Sequence, residues 1–524
     1  MLSSKQARWK VYSVCAKAAR PPVEFGDFQT PVGLANKVCE TLIMRNVSPM
    51  SVLEPTCGIG AFVMSVLASF PQVQHIQGLD ISTEHTETLR RSLVGLPRGD
   101  RVQVGVSDFF SLAWRKIASE FAEPVLVIGN PPWVTNAVIG SNGGTNLPNK
   151  RNFQGHSGLD ALTGKSNFDI SEWMLIHVME WLNGKRGTMA MLCKTAVARK
   201  LVNHAWKHSY ALSDAAIYPI DAMADFGAAV EACLLVCDFA PAAECRECSI
   251  FSGLLTNQRV STMGYRCGSL IASVDLFEKT KHLRGTGGFK WRSGIKHDCS
   301  AVMELVRDGC SFRNGIGEIV DIEPTYLYPM LKTSEVANGL LPRRWMLVTQ
   351  HATGEKTRAI EHCAPKTWRY LEQHAHLLDA RGSSIYKERP RYSVFGVGPY
   401  AFAEWKIAIS GFYKRLTFRT IGPFEDKPIV LDDATYLLAC ENQEQAERGT
   451  RLLHSEAAQE FLSAYVFWDS KRPITTSILN MLDMDALSKE IDSRPFWDHK
   501  LADMQLLLEL AEERRLYTLV LSNL

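Results

Sequence analysis

Asn130-Pro131-Pro132-Trp133 carries the most specific chemistry in this sequence. A planar, conjugated amino nitrogen is a poor nucleophile, because its lone pair is delocalised into the ring. The Asn130 side-chain oxygen and the Pro131 carbonyl could each accept one of its N–H hydrogens. That would draw the nitrogen towards tetrahedral geometry and free its lone pair for attack. Two consecutive prolines fix the backbone, so the carbonyl points without reorganisation. Trp133 offers a face for a planar ring. No covalent nucleophile is required, since positioning and electrostatics suffice. An Asn-Pro-Pro turn alone is a common turn signal; its weight comes from the apolar strand before it and the glycine turn upstream.

That glycine turn is Glu54-Pro55-Thr56-Cys57-Gly58-Ile59-Gly60-Ala61-Phe62, between an expected strand and an expected helix. Glycines there let the backbone turn tightly and approach a ligand at the helix N-terminus. Two glycines by themselves also fit a dinucleotide-binding fold. Asp80 ends the next expected strand, twenty residues after Gly60, where a carboxylate can accept from both hydroxyls of a ribose. Asp108 ends the third, in Ser107-Asp108-Phe109-Phe110, where it could accept from an adenine amino group. Each aspartate could instead be a helix N-cap.

The elements that must position these groups alternate along the first 240 residues. Ser51-Val52-Leu53-Glu54, 75–80, 102–106 and the apolar 124–129 read as strands, with helices over 61–69 and 84–93. The runs 187–192 and 232–237 repeat the apolar character of strands buried on both faces. The pattern predicts an α/β, doubly wound sheet with ligands at its carboxyl ends. Residues 134–169 are rich in Gly, Asn and Ser, and a loop of this length inside a domain is usually functional or disordered. Past residue 245 the alternation fades into short β-like runs such as Lys406-Ile407-Ala408-Ile409, with helices near 443–454 and 501–514.

A chain of 524 residues is too long for one core and predicts at least two domains. No stretch is apolar enough to span a bilayer. Residues 1–20 are basic without an acidic residue, faintly like a transit peptide; a helix packed on the first domain is the expectation. Thirteen cysteines form no framework, and the lone pair Cys245 and Cys248 reads as two thiols, with no metal expected. Free thiols at this density suit a reducing cytoplasm. Net charge is only +2, yet Lys279 to Lys296 holds six basic residues and no acidic one, and Arg381 to Thr420 holds eight basic against two acidic with nine aromatics. Such stripes fit nucleic acid as well as they fit a solvated face over ordinary core aromatics.

On these residues the chain resembles the gamma class of DNA amino-methyltransferases, adenine-N6 enzymes of the restriction-modification type, over essentially its whole length. The resemblance implies a Rossmann-like S-adenosylmethionine-dependent methyltransferase fold with a mixed, mainly parallel sheet, plus a C-terminal mixed α+β target-recognition domain. The expected division is 1–245 for catalysis, 246–490 for DNA target recognition and 491–524 as a helical extension. Glu54, Pro55, Thr56, Gly58, Gly60 and Phe62 would hold the methionine part of S-adenosylmethionine. Asp80 with Ile81 would take the ribose, and Asp108 with Phe109 the adenine. In Gly26-Asp27-Phe28-Gln29-Thr30-Pro31, Phe28, Thr30 and Pro31 would cover the methionine carboxylate; Asn130 would also border the cofactor.

Asn130, Pro131, Pro132 and Trp133 would be catalytic, transferring the methyl group directly to adenine N6 in double-stranded DNA. A duplex base must first be flipped out, and a second aromatic of the family matches Phe226 in Ala224-Asp225-Phe226-Gly227-Ala228-Ala229-Val230. Cytosine N4 needs the same geometry, although Asn before the prolines favours adenine in this family. RNA and protein amino-methyltransferases share the motif but resemble the first domain alone. Segments 291–298, 312–317, 328–332 and 387–392 look like target-recognition regions, where Lys and Arg would mostly meet phosphates. No nuclease signature is evident, so a cytoplasmic methylase is expected, acting alone or beside a separate restriction endonuclease. Its oligomeric state is open.

Overall fold

The computed structural model describes residues 29–111, 121–133, 169–285, 289–309, 311–493 and 496. Phe28, most of the loop 134–169 and the expected helix 501–514 lie outside the described residues. The chain forms two compact units, 1–261 and 262–524.

In the first unit the strands are β1 (Ser51–Glu54), β2 (His75–Asp80), β3 (Val102–Val106), β4 (Val125–Gly129), β5 (Gly187–Lys194), β6 (Leu212–Ile220), β7 (Ala232–Phe239) and β8 (Glu247–Phe251). The helices are α1 (Val32–Met44), α2 (Ala61–Ser69), α3 (Thr83–Leu93), α4 (Ile170–Leu182), α5 (Thr195–Lys207) and the short α6 (Ala222–Phe226). Across the sheet these strands run β8-β6-β7-β5-β4-β1-β2-β3. β1 pairs in parallel with both β2 and β4, β2 with β3, and β4 with β5. β7 runs antiparallel between β5 and β6.

Every residue of β1 and of β4 is buried, because helices cover both faces of these central strands. β3 is the edge strand and is only partly covered, which its Gln103 tolerates. The core under α1 and α2 gathers Leu34, Val38, Leu42, Phe62, Val66 and Ile76, all buried. The chain adds β2 and β3 on one side of β1 and then returns to add β4 on the other. That reversal opens a crevice at the carboxyl ends of β1 and β4.

The expected domain boundary at residue 245 moves to Ser261. β8 pairs in parallel with β6, and Phe251 stacks on Tyr218 with ring centroids 4.5 Å apart. The strand Glu-Cys-Ser-Ile-Phe lacks the continuous apolar run of 124–129 or 232–237, so its sequence does not announce a further β element of the alternating part. Cys248 within it is fully buried, and its neighbour Cys245 donates to the carbonyl of Glu247.

The second unit is mixed α+β. A four-stranded sheet orders Arg292–Ser293, Thr435–Cys440, Trp405–Ser410 and Phe418–Ile421, and a six-stranded sheet contains Glu304–Asp308, Arg344–Leu347 and Leu327–Leu331. Helices Gln443–Leu453, Glu456–Ser463 and Met484–Asp492 supply apolar residues to the core that holds Ile407, Ile409, Phe418 and Leu438. Among the described residues no helix is long and apolar enough to cross a membrane.

Lys406 of the four-stranded sheet is fully buried. Its ammonium nitrogen donates to the carbonyls of Ala403 and Ile429, and burial pushes its pKa down to about 7. The unfolded chain keeps an ordinary lysine, so between pH 7 and 10 it binds the extra proton and the folded state does not. Stability from this site therefore rises with pH across that window, by about 1.4 kcal/mol per pKa unit of separation. Lys406→Met keeps the stem and removes the charge. Urea unfolding of both proteins at pH 7, 8, 9 and 10 should show wild type gaining stability relative to Lys406→Met; a pH-independent difference would refute the assignment.

Candidate active site

The site begins with the backbone between β1 and α2. Gly58 and Gly60 have φ of +50° and +94°, the left-handed region that side chains disfavour. Cys57 N donates to Leu79 O at 2.8 Å, tying the turn to the end of β2. Gly58 N donates to Asp80 Oδ2 at 2.8 Å, and Ser82 N to Asp80 Oδ1 at 2.8 Å. The N-cap of α3 is Ser82, which accepts from His85 N. Asp80 is thus no helix cap; it braces the glycine turn, and a carboxylate has lone pairs left for a ligand after two such bonds. Asp108 does play a local part, accepting from Phe110 N at 2.9 Å where the backbone turns after β3.

One cavity of about 200 Å³ brings together Thr30, Glu54, Pro55, Thr56, Gly58, Phe62, Asp80, Ile81, Asp108, Phe109, Asn130, Pro131 and Pro132. Pro31, Gly60, Trp133 and Phe226 are not in its lining. Pro31 instead precedes α1 as its N-cap residue, and Gly60 shapes the turn from behind. The lining also includes Gln29, Ser82, His85, Ser107, Phe110, Ile170 and Met174, which the sequence reading missed. Gln29 Oε1 accepts from Ile59 N at 3.2 Å, closing over the turn; its position between two flagged residues was the only signal. Ile170 and Met174 come from the first turns of α4, after a long loop, and nothing local announces them.

Glu54 is 2% exposed and burial holds its carboxyl well above the usual range, with Asp80 adding to the effect. Glu54 Oε2 and Thr56 Oγ1 are buried without a hydrogen-bond partner among the described residues. Such acceptors cost free energy unless a ligand satisfies them. A ligand bearing an ammonium group and hydroxyls fits: it would restore the carboxylate charge and use the remaining lone pairs of Asp80.

Asn130 Nδ2 donates to Thr30 Oγ1 at 3.3 Å, which fixes the two ends of the amide. Trp133 is buried, and its Nε1 donates to Leu192 O at 3.4 Å. Its ring meets Phe226 edge to face, with centroids 5.1 Å apart and planes at 70°. The two aromatics named from the sequence, 93 positions apart by number, are therefore neighbours.

A sheet ordered 3-2-1-4-5-7-6 with an antiparallel β7, and a ligand cleft at the ends of β1 and β4, is the Rossmann-like fold of the S-adenosylmethionine-dependent methyltransferases. The chain is 46% identical over 472 residues to the type II methyltransferase M.NspV of a Nostoc species, an alignment covering 90% of this chain and 98% of that one. It belongs to the type II methyltransferase family. Among solved structures it is similar to the type IIL restriction-modification enzyme MmeI in complex with DNA, at 12% identity and a TM-score of 0.49, covering 86% of this chain and 64% of that one. A type I restriction-modification methyltransferase subunit from Streptococcus thermophilus matches at 15% identity and a TM-score of 0.30, covering 45% of this chain and 51% of that one. The chain thus spans less than two thirds of either solved chain. No family profile matches the sequence.

Adding a Cβ to Gly60 would bring it to 2.2 Å from Leu89 Cδ1, at a φ that already disfavours side chains. Gly60→Ala should lose about 2–4 kcal/mol of stability from combined strain and overpacking. A double-mutant cycle with Leu89→Ala, read by chemical denaturation, checks this: removing buried Leu89 costs stability by itself, but Gly60→Ala should cost less in that background than in wild type because the clash is gone.

Proposed function

We propose that the chain is a site-specific DNA methyltransferase that transfers a methyl group from S-adenosylmethionine to adenine N6 in double-stranded DNA, within a restriction-modification setting. The observation that carries the reading is the Asn130–Thr30 hydrogen bond at the mouth of the cleft lined by Glu54, Asp80 and Asp108. It supports an amino acceptor beside a cofactor cleft. The 46% identity to a type II methyltransferase, over nearly the full length of both chains, supports DNA over RNA or protein.

When bound, S-adenosylmethionine supplies an electrophilic methyl group whose bond to sulfur breaks with its electron pair left on sulfur, as the nitrogen lone pair forms the new bond. Glu54 would hold the ammonium of the methionine part, Asp80 the ribose hydroxyls and Asp108 the adenine amino group. The Asn130 side-chain oxygen and the Pro131 carbonyl would accept the two N–H hydrogens of the target base and align its lone pair. The surplus proton then leaves to water. The base would be flipped out of the duplex and received between Trp133 and Phe226, which requires the edge-to-face contact of those rings to open. The second unit, with its Lys and Arg, would bind phosphates and read the target sequence.

Asn130→Ala removes one acceptor and should lower the rate of methylation about 100-fold or more, while affinity for S-adenosylmethionine stays within a few-fold. Labelled S-adenosylmethionine with unmethylated genomic DNA, followed by nucleoside analysis, should give N6-methyladenine in one short sequence context. Label appearing in cytosine alone, or only in RNA or protein, would overturn the reading.

A further inference from the structure

The reacting turn is held at both ends by the same strand. At its start, Gly129 of β4 pairs with Met191 of β5. At its end, Trp133 Nε1 donates to Leu192 O, and Lys194, the last residue of β5, donates from Nζ to the Trp133 carbonyl at 2.9 Å. The same ammonium donates to Asp169 Oδ2 at 2.6 Å. Asp169 is 7% exposed and is itself fixed as the N-cap of α4, its Oδ1 accepting from the backbone N–H and hydroxyl of Ser171. Lys194 is thus held by a buried carboxylate whose other oxygen is bonded to Ser171.

We infer that Lys194 and Asp169 are positioning residues: Lys194 clamps the Trp133 carbonyl so that Asn130-Pro131-Pro132-Trp133 presents its acceptors and its ring in one fixed geometry, and Asp169 cancels the ammonium charge. This inference rests on the amino-methyltransferase reading. Two arguments from physical chemistry support it. Desolvation offsets much of the Coulomb gain of a partly buried ion pair, so the intact pair adds little net stability although losing one partner alone is costly; what the pair supplies is a fixed position for the ammonium against the Trp133 carbonyl. A misplacement of about 1 Å in a reacting centre can cost about 100-fold in rate. In addition, the accepting nitrogen becomes positively charged as it gains the methyl group. An uncompensated ammonium on the adjacent turn would oppose that step, which is what Asp169 prevents.

The test uses the full chain, labelled with 5-fluorotryptophan, with the Trp133 resonance assigned by its loss in Trp133→Phe. In Lys194→Gln the Trp133 fluorine resonance should shift or split. Single-turnover methylation should fall about 10- to 100-fold with S-adenosylmethionine affinity nearly unchanged, and the melting temperature should fall because buried Asp169 loses its cation. Lys194→Arg, which keeps the donor, should recover much of the rate. Asp169→Asn, which leaves the ammonium uncompensated, should be slower than Lys194→Gln, and the double variant should be no slower than Asp169→Asn alone. An unchanged Trp133 resonance and rate in Lys194→Gln would overturn the clamp. Loss of melting temperature and cofactor affinity in step with rate, in both Lys194→Gln and Lys194→Arg, would reduce the pair to general support of the fold and equally overturn it. A wild-type protein that methylates no amino group would sink the functional reading instead, and the fluorine resonance would still judge the clamp.

Discussion

Parallel pairing of β1 with β4 puts Ser51 opposite Val125, Val52 opposite Leu126 and Leu53 opposite Val127. Both strands are buried along their whole length, so their hydrogen bonds have no water to exchange with. The chain grows outwards from β1 on one side before crossing back to β4, and the loops leaving these two strands must diverge. Glu54 and the glycine turn leave one strand end, and Asn130 and the prolines leave the next. A slip of one residue in this register would turn alternate side chains to the opposite face and part the cleft at Glu54 from the turn that carries Asn130.

Around that crevice, the same groups hold the protein together and line the cleft. Asp80 accepts from Gly58 and Ser82 and so joins the glycine turn to the start of α3. Gln29 closes over Ile59, and Thr30 fixes the Asn130 amide. The segment before α1, the turn after β1 and the turn after β4 are thereby linked by side-chain hydrogen bonds. Glu54 remains as a buried carboxyl raised above its ordinary range, a cost that a cationic ligand would relieve. The carboxyl groups of Glu54, Asp80 and Asp108 make the cleft suited to positive charge, and among the described residues its lining holds no Lys or Arg.

The second unit solves a different problem. Its strands are short and mostly antiparallel, its sheets are separate, and several arginines lie over aromatic rings, as Arg381 does over Tyr386 at 3.8 Å and Arg307 over Trp345 at 5.2 Å. Several cations of the two basic stripes are already paired: Lys279 with Glu460, Lys281 with Glu278, Arg391 with Asp379. The basic stripes of the sequence are therefore partly internal to the unit's own ion pairs and cation–π contacts, and their formal charge overstates what is available to a polyanion.

The sequence by itself determined the central strands, the glycine turn and the acidic residues that end β2 and β3. Those features are local: apolar runs of strand length, glycines at positive φ and carboxylates at fixed offsets are written in consecutive residues. It also paired Trp133 with Phe226, though through resemblance to a family and not through any periodicity. Only the tertiary structure decided that Ile170 and Met174 line the cleft, that β8 extends the first unit past residue 245, and that Lys194, paired with Asp169, donates to the Trp133 carbonyl. It decided as well that Ser82, not Asp80, caps α3, and that Lys406 is buried with carbonyls and no carboxylate as partners among the described residues. Each of these depends on which strand lies beside which, and adjacency in a sheet is set by long-range pairing and burial that no short stretch of residues encodes.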